Sequence, residues 1–304
     1  MRGGLPTFLV TGGSGQVGFE LVRELLPFGR VVAPTSAELD LADAARVREL
    51  VAAVRPTAIV NAGAYTAVDA AEGEPGPDDR PARINGVAPG ALGEAAARIG
   101  ARVVHVSTDY VFDGTASAPY REDAPTNPLQ VYGVSKLAGE RALATSGCEW
   151  AVVRTAWVYG ARGKNFLRTM LRLGAERAAL RVVADQTGSP TSSRALATAL
   201  AAVARAAANV PGAGAWHGGT FHMASAGTTT WHGFADAIFD GAVAGGLLHR
   251  APRVEAVGTA DYAAPAPRPR YSVLDVDRAA ECYGVRLSDW REQLALVLDE
   301  LAAR

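Results

Sequence analysis

Short apolar runs alternate with longer alanine- and leucine-rich stretches through the first half of the chain, which limits the folds open to it. The apolar runs have the length of strands and are hydrophobic almost throughout, so we expect both faces of each strand to be buried. They lie at residues 8–10, 31–33, 58–60, 103–106 and 151–154. The stretches between them predict helices at residues 21–27, 44–54, 86–99 and 134–144. Strands separated by helices predict an α/β protein with a doubly wound parallel sheet of the Rossmann type.

The second half of the chain loses this alternation. Helical patterns lie at residues 166–176, 194–208, 231–244 and 290–303, and strand patterns lie at 180–183, 220–223 and 254–257. A proline-rich segment at 262–269 predicts extended chain. We therefore expect residues 1–160 to form a dinucleotide-binding Rossmann domain, completed by parts of 190–225. Residues 161–304 should form a smaller, mainly substrate-binding α/β lobe that is interleaved with it.

Charge and cysteine content narrow the partners and the compartment. The 304 residues include 30 basic and 31 acidic side chains, which predicts no attraction to nucleic acid or to an anionic membrane. Cys148 and Cys282 form neither a disulfide framework nor a metal cluster, which fits a reducing cytoplasm. The first apolar run is too short for a leader or a membrane span, so we expect a cytoplasmic protein.

A glycine-rich loop follows the first predicted strand. Gly12, Gly15 and Gly18 stand three residues apart, with Gln16 and Val17 between them, before a helix that starts near Phe19. In this strand–turn–helix setting, glycines allow a tight turn and a close approach of the backbone to a pyrophosphate. The helix N-terminus adds free N–H groups and a positive dipole end. The loop therefore predicts dinucleotide binding.

The end of the second strand bears on the choice of cofactor. Thr35 and Ser36 stand where a carboxylate that binds the ribose of NAD would be expected, and no arginine stands there to hold a 2′-phosphate. This favours NADPH, with NADH possible. Asp40 could reach the adenine or could cap the following helix.

Tyr132 and Lys136 are four residues apart in a predicted helix, so they share one face. Only one other lysine, Lys164, occurs in the chain. A lysine ammonium can stabilise a neighbouring phenolate and so prepare a tyrosine to donate a proton. Thr108, at the carboxyl end of a central strand, could hydrogen-bond the same substrate oxygen or simply cap the strand. An ordinary amphipathic helix would also account for the pair alone.

These features together resemble the extended short-chain dehydrogenase/reductase family, whose fingerprint is the glycine loop, a Ser or Thr after a central strand, and Tyr-x-x-x-Lys. Longer motifs sharpen the resemblance to the dTDP-4-dehydrorhamnose reductase family, from one end of the chain to the other. These motifs lie at residues 15–18, 60–69, 107–114, 131–133, 154–159, 165–166, 185–191, 227–231 and 268–269.

The resemblance implies NAD(P)H-dependent reduction of the 4-keto group of dTDP-4-dehydro-6-deoxy-L-mannose to dTDP-L-rhamnose, with Tyr132 as proton donor and with Lys136 and Thr108 beside it. The residues expected to bind the cofactor are Gly12, Gly15, Gln16, Val17, Gly18, Thr35, Asp40, Leu41, Ala62, Ala64, Tyr65, Thr66, Val106, Tyr132 and Lys136. The residues expected to bind the substrate are Thr108, Asp109, Tyr110, Trp157, Asn165, Gln186 and Arg268.

Some of these assignments have alternatives. Trp157 could be a core indole, Asn165 and Gln186 could cap turns, and Arg268 could be a solvated loop charge rather than a diphosphate ligand. Two rival functions also remain. One is a related reductase of antibiotic sugars, such as a dTDP-dihydrostreptose synthase. The other is a non-catalytic relative such as the regulatory subunit of methionine adenosyltransferase, against which the intact Thr108, Tyr132 and Lys136 argue.

One departure from the family concerns metal. Its best-known members form a dimer that binds magnesium through acidic side chains, one early in the first helix and a cluster after a Pro-Thr motif. Here Glu20 matches the first, but Ser192, Ser193 and Arg194 replace the cluster. We therefore expect no required metal, and a monomer or weak homodimer.

Overall fold

The computed structural model describes residues 4–73 and 79–304, and strands and helices alternate through its first half. The first residues of the chain, where no leader is expected, lie partly outside this range. The strands are β1 (Thr7–Thr11), β2 (Arg30–Val32), β3 (Ala58–Asn61), β4 (Arg102–Thr108) and β5 (Trp150–Thr155). The helices are α1 (Gln16–Leu25), α2 (Ala44–Val54), α3 (Val68–Ala71), α4 (Ala88–Ile99) and α5 (Val131–Ala144).

Helices and mostly short strands make up the second half. The helices are α6 (Phe166–Glu176), α7 (Ser193–Ala207), α8 (Trp231–Ala244), α9 (Asp277–Tyr283) and α10 (Trp290–Ala302). The longer strands are β7 (Ala179–Val183), β10 (Gly219–His222) and β13 (Arg253–Val257). The strands of two or three residues are β6 (Val158–Tyr159), β8 (Thr187–Gly188), β9 (Thr191–Ser192), β11 (Ser225–Ala226), β12 (Thr229–Thr230) and β14 (Leu287–Asp289).

Six parallel strands form the central sheet, in the order β10-β5-β4-β3-β1-β2. The strand after β1 lies on one side of it, whereas β3 and all later strands of the sheet lie on the other. The order therefore reverses beside β1, and in such sheets ligands bind in the crevice at the carboxyl ends of the strands near that point. This is the doubly wound parallel sheet that the sequence predicts.

Side chains on each strand alternate between two apolar layers. On β1, Phe8 and Val10 pack in the layer of α1 and α7, whereas Leu9 packs in the layer of α2 and α4. All three side chains are fully buried. Burial on both faces is why the strands are hydrophobic throughout rather than alternating with polar residues.

The C-terminal lobe has an apolar core of its own. Leu167 of α6, Phe234 of α8 and Leu294 of α10 pack together there, against β7 and its parallel partner β13. Two elements from the second half nevertheless belong to the Rossmann layers. Helix α7 covers one face of the sheet, and β10 pairs with β5 as an edge strand.

The structure differs from the predicted elements at several points. Helix α1 begins at Gln16, earlier than expected, because the glycine loop turns directly into it. A π-helical segment, Ala82–Val87, leads into α4, so this helical stretch begins before the predicted residue 86. Helix α9 and the short strands were not predicted, since segments of two to seven residues carry too little periodicity. None of the helices described is long and apolar enough to cross a membrane.

Candidate active site

A cleft of about 1010 Å³ opens at the carboxyl ends of the central strands. Thr11 of β1, Thr108 of β4 and Thr155 of β5 all reach it, as the switch in strand order predicts. Most of the residues expected to bind cofactor or substrate line it together. These are Gly12, Gly15, Gln16, Val17, Asp40, Leu41, Ala62, Ala64, Tyr65, Thr66, Val106, Thr108, Asp109, Tyr110, Tyr132, Lys136 and Trp157.

The glycine loop gives the cleft an anion-binding end. Gly12 has a φ of 72°, and a Cβ there would press against the backbone of Gly63. A Cβ on Gly18 would overlap the carbonyl group of Gly12, so this glycine packs the helix onto the loop rather than lining the cleft. Helix α1 begins at Gln16 with Gly15 as its N-cap, which leaves its first N–H groups for a ligand. The loop thus fits a pyrophosphate.

The end of the cleft beside β2 carries a paired charge. The Asp40 carboxylate accepts a hydrogen bond from the Ala42 N–H at 3.0 Å and forms a 3.2 Å ion pair with Arg80. Both members of the pair line the cleft. Thr35 lies outside the lining, where its N–H and hydroxyl both donate to Glu38. The arginine that sequence reasoning did not find here therefore comes from 40 residues further along the chain.

Tyr65 in the loop after β3 is held by a buried amide that the sequence did not single out. Asn85 accepts a hydrogen bond from the Tyr65 N–H at 2.9 Å and donates to the Tyr65 carbonyl at 3.0 Å. It also donates to the Ser135 hydroxyl at 3.0 Å, which ties this loop to α5. A polar side chain inside an otherwise apolar helical stretch is the signal that could have identified it.

Tyr132 and Lys136 lie on the first two turns of α5. Gln130 caps this helix, since its side-chain oxygen accepts from the Gly133 N–H at 2.8 Å. Lys136 is 1% exposed, and its Nζ donates to the Val106 carbonyl at 2.6 Å. Burial lowers the pKa of Lys136 to about 8, opposed by the negative charge of Glu140. The ammonium is therefore mostly charged at neutral pH and loses its proton in mildly alkaline solution.

The phenol of Tyr132 is held in its protonated form. Burial raises its pKa well above the usual 10, and the charge of Asp109 raises it further, whereas a hydrogen bond with Thr108 opposes both. Tyr110 packs edge-on against the ring with centroids 6.2 Å apart. A protonated phenol in a cleft beside a lysine is the state that can donate a proton.

Thr108 and Asp109 form a polar step at the end of β4. The Thr108 hydroxyl donates to Asp109 at 3.0 Å and accepts from the Tyr110 N–H at 3.2 Å. Burial raises the pKa of Asp109 to about 7, although hydrogen bonds from Ser272 and Thr108 favour the charged form. Asp109 is 2% exposed, so water screens its charge poorly. Its ionisation therefore affects the pKa of the neighbouring Tyr132.

Two stacked indoles form one wall of the cleft. Trp157 and Trp231 lie parallel, with centroids 3.6 Å apart and planes inclined by 5°. Trp157 has a φ of 46°, which is strained for a bulky side chain. Gly188 lies flat against its indole, where a Cβ would overlap the ring. Trp231 was noted only as part of a motif, yet it lines the cleft beside Trp157.

Three residues expected to bind substrate lie outside the lining and have other partners. Asn165 caps α6 by accepting from the Arg168 N–H at 3.0 Å, and it donates to the Gln16 side chain at 2.7 Å. Gln186 donates to the Thr259 hydroxyl at 3.0 Å. Arg268 forms a 2.9 Å ion pair with Asp69 and also hydrogen-bonds Tyr110. Substrate contact by these three stays a prediction.

The residues considered for a metal have other roles. Glu20 lies 4.0 Å from Arg162, and Ser192 caps α7 by accepting from the Ala195 N–H at 3.1 Å. Within residues 4–73 and 79–304, no cluster of three or more His, Cys, Asp or Glu side chains could hold a metal ion. The prediction that no metal is required is not tested by this observation.

Comparison with known proteins identifies the family. The RmlD substrate binding domain model matches residues 7–303. The dTDP-4-dehydrorhamnose reductase of Burkholderia thailandensis is 47% identical over 97% of this chain and 99% of that protein. The enzyme of the same name from Escherichia coli K12 is 40% identical over 96% and 97%. The crystal structure of dTDP-4-dehydrorhamnose reductase from Bacillus anthracis in complex with NADP has a TM-score of 0.87 and 33% identity, covering 97% of this chain and 99% of that one. The chain belongs to the RmlD substrate binding domain family.

Proposed function

We propose that this protein is an NAD(P)H-dependent reductase that converts the 4-keto group of dTDP-4-dehydro-6-deoxy-L-mannose to the alcohol of dTDP-L-rhamnose. The observation that carries the proposal is that Tyr132, Lys136 and Thr108 line the same cleft as the glycine loop. The relatives over the full chain length, which bear the name of this reductase, support it. A non-catalytic role would not require a buried lysine beside a protonated phenol.

The residues divide the work of reduction between them. The bound nicotinamide cofactor supplies a hydride to the carbonyl carbon of the substrate. Tyr132 donates its phenolic proton to the carbonyl oxygen, which completes the alcohol and leaves a phenolate. Lys136 stabilises that phenolate by its charge, so the ammonium form is required at this step. Thr108 hydrogen-bonds the phenol and lies where it can also contact the substrate oxygen.

The wall of the cleft that contains the two tryptophans is suited to a deoxysugar. Trp157 and Trp231 line the cleft with apolar indole surface, which would match the methyl group and the C–H edges of a 6-deoxyhexose. Asp109 and Tyr110 add polar groups beside Tyr132. Substrate contact through these residues is part of the proposal.

Arg80 supports NADPH over NADH as the preferred cofactor. It lines the cleft near Asp40, Pro34 and Ser36, where the adenosine end of the cofactor would lie if the glycine loop holds the pyrophosphate. The ion pair between Arg80 and Asp40 is largely exposed and therefore weak. A 2′-phosphate could replace Asp40 as the partner of the Arg80 guanidinium. We expect Arg80→Leu to raise KM for NADPH by about tenfold, the loss of one charge-assisted contact, and to leave KM for NADH nearly unchanged.

Steady-state kinetics with both cofactors measures this preference. Arg46→Leu is the matched control, because Arg46 also forms an exposed ion pair, with Glu49, but does not line the cleft. An equal rise in KM for NADPH and NADH would show that Arg80 does not recognise the 2′-phosphate.

The function itself is tested by turnover. The purified chain is incubated with dTDP-4-dehydro-6-deoxy-L-mannose and NADPH, cofactor oxidation is followed by absorbance, and the product is identified by NMR. We expect stoichiometric formation of dTDP-L-rhamnose without added magnesium. A folded enzyme that leaves the substrate unchanged would exclude the proposed reaction, and a different sugar product would redirect it to a related pathway.

We also propose that the protein acts in the cytoplasm as a monomer or weak homodimer. Its substrate class and reduced cofactor fit that compartment. The engagement of Glu20 with Arg162, and of Ser192 in helix capping, supports a molecule that does not rely on a metal-bridged interface.

A further inference from the structure

A row of buried polar side chains crosses three adjacent strands and ends at Lys136. Thr11 on β1 pairs in register with Asn61 on β3, which pairs in register with His105 on β4. The exposed fractions of these three residues are 1%, 0% and 1%. The row lies on the face of the sheet that α5 covers, next to the apolar side chains of Leu9, Ile59 and Val103. Buried polar groups at such a place require a complete set of partners.

Hydrogen bonds run through the row without a gap. The Thr11 hydroxyl lies 2.6 Å from Oδ1 of Asn61, and Nδ2 of Asn61 lies 3.0 Å from Nδ1 of His105. The other ring nitrogen of His105, Nε2, lies 3.3 Å from Nζ of Lys136. The imidazole therefore stands between the amide of Asn61 and the ammonium group of Lys136.

The donors and acceptors in the row depend on the charge of Lys136. With the Asn61 amide as placed, Nδ1 of His105 accepts a hydrogen bond from the Asn61 amide, so a neutral imidazole carries its hydrogen on Nε2. That N–H can donate to a neutral amine but repels an ammonium. After a half-turn of the amide, with the Thr11 hydroxyl as acceptor, Asn61 accepts from Nδ1–H and Nε2 accepts from the ammonium. Each charge state of Lys136 thus has its own tautomer of His105.

His105 remains neutral in both arrangements. Burial lowers its pKa well below the usual 6.5, and the positive charge of Lys136 lowers it further. The other titratable groups around this site are Tyr132 and Glu140 on α5 and Asp109 after β4. Glu140 forms a 2.7 Å ion pair with Arg154 of β5. The charge of Asp109 raises the pKa of Tyr132. None of these three groups has a nitrogen that could contact Nζ. The imidazole of His105 has one, and this nitrogen can either donate or accept a hydrogen bond.

We propose that His105 is a positioning residue that acts through Lys136: its tautomer, set together with Asn61 and Thr11, exchanges as Nζ gains or loses its proton and so holds the ammonium that the phenolate of Tyr132 needs. This inference rests on the proposed reductase function for its kinetic consequence. The tautomer exchange itself is a property of the free protein.

The first experiment reads both nitrogens directly in the intact protein. The chain has two lysines, Lys136 and Lys164, so lysine labelled with ¹³C at Cε gives two titrating signals, which Lys164→Arg assigns. Histidine labelled with ¹⁵N reports which ring nitrogen carries the hydrogen, and His105→Gln assigns the signal among five histidines. We expect the His105 signal to change from the Nδ1–H to the Nε2–H tautomer with the same midpoint as Lys136. A single His105 tautomer throughout the Lys136 titration would overturn the proposal.

The second experiment reads the kinetic consequence. Reduction needs charged Lys136, so kcat should fall as pH rises through the pKa of this lysine. His105→Leu removes the acceptor of the ammonium, and we expect the alkaline limb of kcat to move to lower pH by about one unit, a tenfold loss of proton affinity. His105→Gln keeps an acceptor and should return the limb towards its original position, with little change in KM. An unchanged limb in the folded Leu variant would also overturn the proposal.

A matched control separates this effect from loss of stability. His222 on β10 is equally buried, at 0% exposure, and does not line the cleft. His222→Gln should leave the alkaline limb in place, and a similar shift there would contradict a specific role for His105. If the wild-type protein does not reduce the sugar, the proposed function fails, while the NMR titration still decides the role of His105.

Discussion

Tyr132 and Lys136 occupy adjacent turns of α5, and burial moves their pKa values in opposite directions. The pKa of the phenol rises and that of the ammonium falls to about 8, because a low-dielectric site disfavours the charged form of each. The resting pair is therefore a neutral phenol beside an easily neutralised lysine.

Tyr132→Phe tests the proton donor at the level of one atom. The substitution removes the hydroxyl and keeps the ring that packs against Tyr110. We expect kcat to fall by about two to four orders of magnitude, the usual contribution of a positioned acid, with little change in Tm or in the Kd for NADPH. Turnover within a few-fold of wild type would mean that another group donates the proton.

Asp109→Asn tests the cost of burying a carboxylate in the cleft. The pKa of Asp109 is about 7 in the fold against an ordinary 3.8, so the folded protein favours the protonated form. Burying the ionised carboxylate lowers the free energy of unfolding. This loss is absent below pH 3.8, grows as pH rises to 7 and is complete above pH 7. The neutral amide of Asn avoids this loss, so we expect Tm to rise by a few degrees in alkaline buffer and by much less in acid. The conversion is about 2–4 °C per kcal/mol.

Differential scanning calorimetry at the two pH values measures this difference. Asp43→Asn is a useful control, because Asp43 is an exposed helix cap away from the cleft. An equal change of Tm in acid and in alkali for Asp109→Asn would show that the fold does not raise the pKa of this carboxyl group.

Some site residues could be predicted from the sequence because they stand in continuous motifs. Gly15, Thr108 and Tyr132 each follow a recognisable strand or open a recognisable helix, and they meet because parallel strands end at one edge. Arg80 and His105 could not be assigned in this way. Their roles depend on Asp40 and Lys136, which lie 40 and 31 residues away and reach them only through the fold.

At the scale of elements, the turn from β1 into α1 is tightly constrained. Gly18 lies so close to Gly12 that a side chain at position 18 would overlap the loop backbone. The sequence predicted the position of this turn correctly but placed the start of α1 too late, because glycine and glutamine carry no amphipathic signal. By contrast, α2 and α6 have the predicted bounds, since their apolar positions repeat regularly.

Gly18→Ala should therefore separate cofactor binding from folding. The added methyl group would push α1 away from the loop, and we expect the Kd for NADPH to rise by about tenfold or more, since the backbone N–H groups would no longer converge on the pyrophosphate. Fluorescence titration with NADPH measures the effect. Gly214→Ala, at a position with open space around it, is the control and should bind normally. Normal binding by both variants would contradict the role assigned to Gly18.

At the scale of the whole molecule, the two halves of the chain share the Rossmann layers. Leu196 and Leu200 of α7 are fully buried in the same core as Phe8 of β1. The edge strand β10 also comes from the second half. A sequence that stops at residue 160 would keep α1 on that face of the sheet but would expose the part that α7 covers. The packing of α7 and β10 supports the interleaved domains that the sequence suggests, whose bounds stay a prediction.

A truncated chain tests whether that packing is essential. We expect residues 1–160 to lack a cooperative unfolding transition, because the surface that α7 buries would face water. Residues 1–228, which include α7 and β10, should recover one. Urea unfolding followed by near-ultraviolet circular dichroism measures both fragments. Cooperative unfolding of the shorter fragment would show that its domain folds independently.

The stacked tryptophans also join the two halves, since Trp157 follows β5 and Trp231 begins α8 of the C-terminal lobe. At a centroid separation of 3.6 Å, the electronic transitions of the two indoles couple. When the two transition moments are twisted relative to one another within the stack, such coupling gives a pair of circular dichroism bands of opposite sign, which weaken as the rings separate. Circular dichroism can therefore report changes in the separation of Trp157 and Trp231, and so movement between β5 and α8, without any attached label.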